Sequence, residues 1–188
     1  MKKIPYLQAQ EILERFELGP EAQSLIEPTA TPLDVMNELA KHLHLADYVN
    51  FVAHALPPRE GICWALAIQE EMSLADVPDA KGIRGQVRTW VQKPTEALRR
   101  SLMELGEKLG TDGPTGWLCF AVAWNGSGSI ADASGPVVLP PSYLHAKALL
   151  GAIALAPAET TKDIRQLLDL AHRNALAVAE GVWPGMEV

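Results

Sequence analysis

Arg59 and Glu60 are the only charged pair in the stretch Leu56-Pro57-Pro58-Arg59-Glu60-Gly61-Ile62-Cys63-Trp64-Ala65-Leu66-Ala67-Ile68, which is otherwise apolar. A guanidinium beside aromatic side chains can anchor a protein interface. It can equally tie neighbouring helix ends together through a charge-assisted hydrogen bond to a carboxylate or carbonyl. The second role is favoured here, because a buried charge needs a partner and the surrounding helix is expected to be buried. Other chemistry is harder to find. The histidines His42, His44, His54, His145 and His172 lack the i, i+4 spacing of paired helical metal ligands, and neither Cys63 nor Cys119 belongs to a C-x-x-C pair. Both cysteines sit among apolar residues and read as buried free thiols. Nothing resembles a G-x-S-x-G nucleophile elbow. The loop Asn125-Gly126-Ser127-Gly128-Ser129-Ile130-Ala131 contains a bare G-x-G-x-x-A. A dinucleotide site, however, needs a strand before that motif and a helix after it, and Asp132, Gly135 and Pro136 forbid the helix. The residues therefore predict no catalytic, cofactor-binding or metal site. Among the tryptophans, Trp90 and Trp183 have the least apolar surroundings and are, with Arg59 and Glu60, the candidate contacts for a partner.

The elements that carry these residues read as helices throughout. Pro57-Pro58 suits a first helical turn, where the missing N–H has no partner to lose, and Glu60 faces the positive end of the helix dipole. The central helix is apolar on nearly every side down to about Met72, which predicts burial. Thr31-Pro32-Leu33-Asp34 is a helix start, with Met36, Leu39 and Leu43 on one face; Asp47 is expected to cap a second helix ending near Leu56. Residues 74–85 read as a loop, with a helical turn at Val87–Val91. Thr95 to Gly110 has a leucine stripe (Leu98, Leu102, Leu105, Leu109) opposite Glu96, Arg100, Glu104 and Lys108. Periodicity alone does not separate helix from strand over Trp117–Trp124; Pro114, the alanines and the helical surroundings favour helix. Tyr143 to Ala156 forms another apolar helix after Pro140-Pro141. Thr160 with Asp163 resembles a capping box, opening a helix that Gly181 closes. The expected architecture is all-α: a single-domain bundle of six to eight helices, built in part as stacked helical hairpins. It divides into a peripheral N-terminal arm (1–30), a helical domain (31–181) and a tail (182–188).

The composition narrows the function classes. The 188 residues carry 16 Lys and Arg against 23 Asp and Glu, a net charge of −7. Scattered bases in an acidic chain argue against a nucleic-acid partner and for a neutral or basic one. No apolar run approaches the roughly 20 residues of a membrane span, and polar residues follow Met1 where a signal peptide would be apolar, so a cytoplasmic location is expected.

Three segments carry a resemblance: Pro57-Pro58-Arg59-Glu60-Gly61-Ile62-Cys63-Trp64, Trp90-Val91-Gln92-Lys93-Pro94-Thr95-Glu96-Ala97, and the apolar run that ends in the Gly/Ser loop, 120–129. They resemble an uncharacterised bacterial family found in type VI secretion gene neighbourhoods. The resemblance implies an accessory, adaptor or chaperone role whose partner is a secretion-system component or effector. The expected protein is non-catalytic and binds another protein, with homo-oligomers open to it. The competing expectation is a small-molecule binder or small enzyme using a pocket between the apolar helices, with the loop 125–129 as its lip.

Overall fold

The computed structural model describes residues 1–131, 134–159 and 163–186. The helices in chain order are α1 (Gln10–Leu13), α2 (Pro20–Gln23), α3 (Pro32–Lys41), α4 (Leu45–Ala55), α5 (Pro58–Glu71), α6 (Ala80–Gln92), α7 (Glu96–Leu109), α8 (Pro114–Ala123), α9 (Leu144–Ala154) and α10 (Ile164–Ala179), with one 3₁₀ turn at Ala156–Glu159. No strand occurs among the described residues, so the fold is all-α.

Packing arranges the long helices in two layers. One layer runs α7, α8, α9, α4, α3 from neighbour to neighbour; the other runs α10, α5, α6 across it. The consecutive pairs α3/α4, α5/α6 and α7/α8 do pack, but α9 is inserted between α4 and α8, so the stacking is not purely sequential. The element at the centre is α5, which touches α4, α6, α8, α9 and α10. Its residues Glu60 through Gln69 are all buried, as an all-round apolar helix requires. Trp64 is fully buried and donates its indole N–H to the Ala171 carbonyl (2.8 Å), pinning α5 to α10. Gln69, also fully buried, donates its amide N–H groups to the carbonyls of Pro114 (2.9 Å) and Ala152 (3.0 Å), so one side chain ties α5 to the start of α8 and the end of α9.

The local start signals hold. Thr31 and Asp34 form a reciprocal capping box, Thr95 caps α7 by accepting from the Leu98 N–H, and Pro58 and Pro114 occupy first turns. Trp117 to Ala123 is helical. Beyond α10, Gly181 (φ +88°) donates to Val178 and Val182 to Ala177, a Schellman cap with the glycine where expected.

Several sequence readings are corrected. The box that opens α10 pairs Asp163 with Gln166, since Asp163 is the N-cap and not the third helical residue; Thr160 lies outside the described residues. Asp47 sits inside the first turn of α4 and caps nothing there, accepting instead from the Gly19 N–H (2.8 Å). The second half of the expected 74–85 loop is helical, because α6 starts at Ala80 after Asp79 turns the chain in the left-handed region. Tyr143 precedes α9 in that same conformation, so Pro140-Pro141 lies outside the helix rather than opening it. Leu43, also left-handed, follows the end of α3. In α7 the buried face is Arg99, Leu102, Met103 and Gly106; Leu98, Leu105 and Leu109 flank it half-buried.

Candidate functional site

Arg99 explains both the rotation of α7 and the loop that follows α8. Its side chain is fully buried. It donates through Nε and Nη2 to the two oxygens of Glu96 (2.7 Å each), through Nη1 to the Ala123 carbonyl (2.6 Å) and through Nη2 to the Ser129 carbonyl (2.7 Å). Each of its three nitrogens thereby has an acceptor at the point where the chain leaves α8. Glu96 is held below the usual carboxylate range, first by the Arg99 hydrogen bonds. Gly128 lies against this pair: a Cβ there would stand 2.7 Å from Glu96 Oε2 and 2.8 Å from Arg99 Nε. In the G-x-G pattern Gly128 is therefore a packing requirement of a clamp, Gly126 serves a left-handed turn (φ +94°), and the preceding element is a helix.

The clamp extends outward. Arg100 donates to the Ala131 carbonyl (2.6 Å). The Ser129 hydroxyl accepts from the Ala131 and Val138 N–H groups (3.1 and 3.0 Å), and the Ile130 N–H donates to the Val138 carbonyl (2.8 Å). Residues 129–131 and 138 thus form a short pinned ribbon. On it, Val137, Val138 and Leu139 are 79%, 45% and 59% exposed. Three consecutive apolar residues are held out to solvent by a backbone that is itself tied down.

Leu139 continues into a groove of about 510 Å³ between the N-terminal segment, the α4–α5 corner and the residues before α9. Its aromatic wall is built from four separate parts of the chain. Tyr143 stands 5.2 Å from His54 and 6.4 Å from His145, and Phe16, outside the lining, stacks on His54 (centroids 4.8 Å apart, 19° between planes). The Arg15 guanidinium lies over the Tyr6 ring (4.6 Å) and the Tyr143 ring (5.2 Å) while donating to the His54 carbonyl (2.7 Å). Pro57, Pro141 and Trp124 complete the wall, and Asn125 and Gly126 stand at its rim. Of the loop 125–129, Asn125 and Gly126 line this groove, together with the start of α5, the end of α8 and the start of α9.

Electrostatically the groove differs from the whole molecule. It contains Lys3, Arg15, His54 and His145, and no Asp or Glu lines it. Burial pushes both histidines down, His145 to about 4 with His54 adding to the effect. His54 Nδ1 bonds the Asn50 carbonyl (2.8 Å), an acceptor only, so that nitrogen carries the proton and Nε2 is left as the base. The histidines contact rings and a backbone carbonyl. Lys3 is paired with Glu60, so Arg15 is the cation that gives a wall without carboxylates its positive sign.

The four predicted contacts lie elsewhere. Arg59 and Glu60 do not pair with each other. Arg59 donates to the carbonyls of Val91 (2.6 Å) and Gln92 (3.0 Å), closing the end of α6, and its guanidinium covers the Trp183 ring at 4.9 Å. Glu60 is 8% exposed and accepts from Lys3 Nζ (2.8 Å), which holds the N-terminus against α5. Trp90 is 3% exposed within the core, and Trp183 is half-buried beneath Arg59. These residues assemble a joint between α5, α6 and the tail. Cys63 and Cys119 are buried free thiols, pushed up to about 12 chiefly by burial. Among the described residues no group of three or more His, Cys, Asp or Glu could hold a metal ion, and no helix is long and apolar enough to cross a membrane. The signal sequence reasoning missed was Val137-Val138-Leu139-Pro140-Pro141, an apolar run in a loop too rich in proline to be helix or core.

A family model described as a family of unknown function (DUF6931) matches residues 35–179. Comparison with curated proteins and with solved structures found no match.

Proposed function

The chain belongs to the DUF6931 family, and we propose that it is a non-catalytic protein-binding module that docks an extended segment of a partner on the Val137–Leu139 ridge and the adjoining groove. The observation that carries this reading is the ridge itself: three consecutive exposed apolar side chains on a ribbon fixed by Arg99, Arg100 and Ser129. A pinned apolar patch beside a groove costs little to order on binding, which is how such surfaces gain affinity. The segment that fits carries apolar side chains for the ridge and a neutral or acidic stretch for the wall that holds Arg15. An adaptor or chaperone role in bacterial type VI secretion is supported by the family resemblance of the Pro57–Trp64 and Trp90–Ala97 segments. Arg59, Glu60 and Trp90 serve in this reading as internal struts, and Trp183 as a shielded ring.

The neutral histidines carry a second reading, a small-molecule binder or small enzyme that uses the groove itself. One experiment separates the two. Val137→Asp/Leu139→Asp and His145→Gln variants are first shown to melt like wild type near neutral pH. A partner captured by wild type is then purified and titrated against all three. Direct binding that falls at least tenfold in the ridge variant supports docking. Unchanged affinity in the ridge variant, with a co-purifying small molecule lost from His145→Gln, overturns docking in favour of the second reading.

A further inference from the structure

A second groove, of about 710 Å³, lies where the end of α5 faces the first half of α6, and it shares no lining residue with the groove above. Hollows of this size accommodate small molecules. Lys81, Arg84 and Arg88 line it from one face of α6. Arg88 is committed, donating to the Glu70 carboxylate and the Gly185 carbonyl. Lys81 is exposed. Arg84 is unlike either: it is 6% exposed, and its Nη1 is buried with no hydrogen-bond partner.

A guanidinium stays charged inside a protein, and a buried charge without a counter-ion is costly. Burial works against the Arg84 charge, and the carboxylates that favour it, Glu70 and Asp76, are engaged by other donors. Glu70 accepts from Arg88, and Asp76 accepts from the Thr115 N–H (2.9 Å) and hydroxyl (2.6 Å). Asp79, the other carboxylate on the wall, is folded over the first turn of α6, where a Cβ on Gly82 would stand 2.4 Å from its Oδ1. That turn begins beside the groove at Ala80, and its N-cap side chain makes no capping hydrogen bond. The Asp79 carboxylate over that turn offsets the positive helix end, so the attraction for an anion comes from the cationic side chains of the wall.

We propose that this groove binds the oxyanion of a small metabolite, a carboxylate or phosphate, with Arg84 as its buried counter-ion and Lys81 as the flanking cation. An oxyanion against the Arg84 guanidinium offsets its buried charge, and a planar guanidinium matches either group. The site is independent of the docking ridge, and either reading can fail while the other stands.

The test follows thermal unfolding of the full chain in inorganic phosphate, in citrate and in sodium chloride of matched ionic strength, for wild type, Arg84→Met and Lys81→Ala. A ligand that binds only the folded state raises the melting temperature in a saturable way. The expected result is a saturable rise with phosphate, with citrate or with both, absent in chloride, and the stronger of the two identifies the oxyanion. Arg84→Met is expected to weaken that response at least tenfold while melting no lower than wild type without ligand, because an unpaired buried charge is replaced by an apolar side chain of similar length. Lys81→Ala is expected to weaken it severalfold with an unchanged melt. No saturable response to either oxyanion overturns the proposal, as does an equal response in Arg84→Met. Binding of a poly-glutamate peptide with no response to the small oxyanions also overturns it, in favour of an acidic protein ligand.

Discussion

At the scale of single residues, burial decides roles that residue type leaves open. Arg99 and Arg100 are neighbours in sequence, yet the first is fully buried and holds two backbone carbonyls while the second is half-exposed. His145 shows the same effect in its titration. Burial holds it neutral, with a value of about 4 against an ordinary 6.5, so the unfolded chain binds a proton that the folded chain refuses. Its contribution is complete above about pH 6.5 and is lost as pH falls toward 4, by a limit of about 3 kcal/mol. His54 and His172, also lowered by burial, act in the same direction. Urea unfolding at pH 7 and pH 5 should show wild type losing stability on acidification and His145→Gln losing distinctly less. Equal losses would mean that His145 is not the group being protonated. Residue type alone gave Arg59, Glu60, Trp90 and Trp183 as contacts because exposure is absent from a sequence; Trp90 is a core residue.

At the scale of elements, helix starts are local and were legible, whereas helix faces were not. Thr31, Thr95, Pro58 and Pro114 act on N–H groups within their own first turns, so their meaning does not depend on the rest of the chain. The buried face of α7 depends on α8, whose Cys119 and Phe120 take Gly106 at close range and turn Arg99 inward. The contact between α8 and α9 is closer still. A Cβ on Gly151 would stand 2.5 Å from the Trp117 ring, in the middle of α9 where no side chain can be shed. Gly151→Ala is therefore expected to push α9 from α8 and cost roughly 1–3 kcal/mol, despite alanine's better helix propensity. A denaturant midpoint equal to or above that of wild type would show that Trp117 swings aside freely.

At the scale of the whole molecule, the N-terminal segment is built into the bundle. Ile4, Ala9, Ile12 and Ala22 are buried in the common core, and the Lys3 N–H donates to the Ala179 carbonyl (2.8 Å). The same segment supplies Tyr6 and Arg15 to the groove, although the family match starts only at residue 35. Burying two isoleucines contributes several kcal/mol, so removing residues 1–18 should lower the melting temperature by roughly 5–10 °C. The truncated chain should also lose the partner segment that the ridge and groove share; full binding by a chain lacking Tyr6 and Arg15 would confine the surface to the ridge. The sequence by itself determined the all-α class, where α3, α5, α7 and α8 begin, and that α5 is the buried centre. Each of those follows from periodicity and capping, which act within a few residues. Only the tertiary structure decided which charges are partnered, that a groove without carboxylates forms in an acidic protein, and that Arg84 is left without an acceptor. Those outcomes arise where segments distant in sequence meet, and the free energy of a polar group is set by the neighbours it meets there.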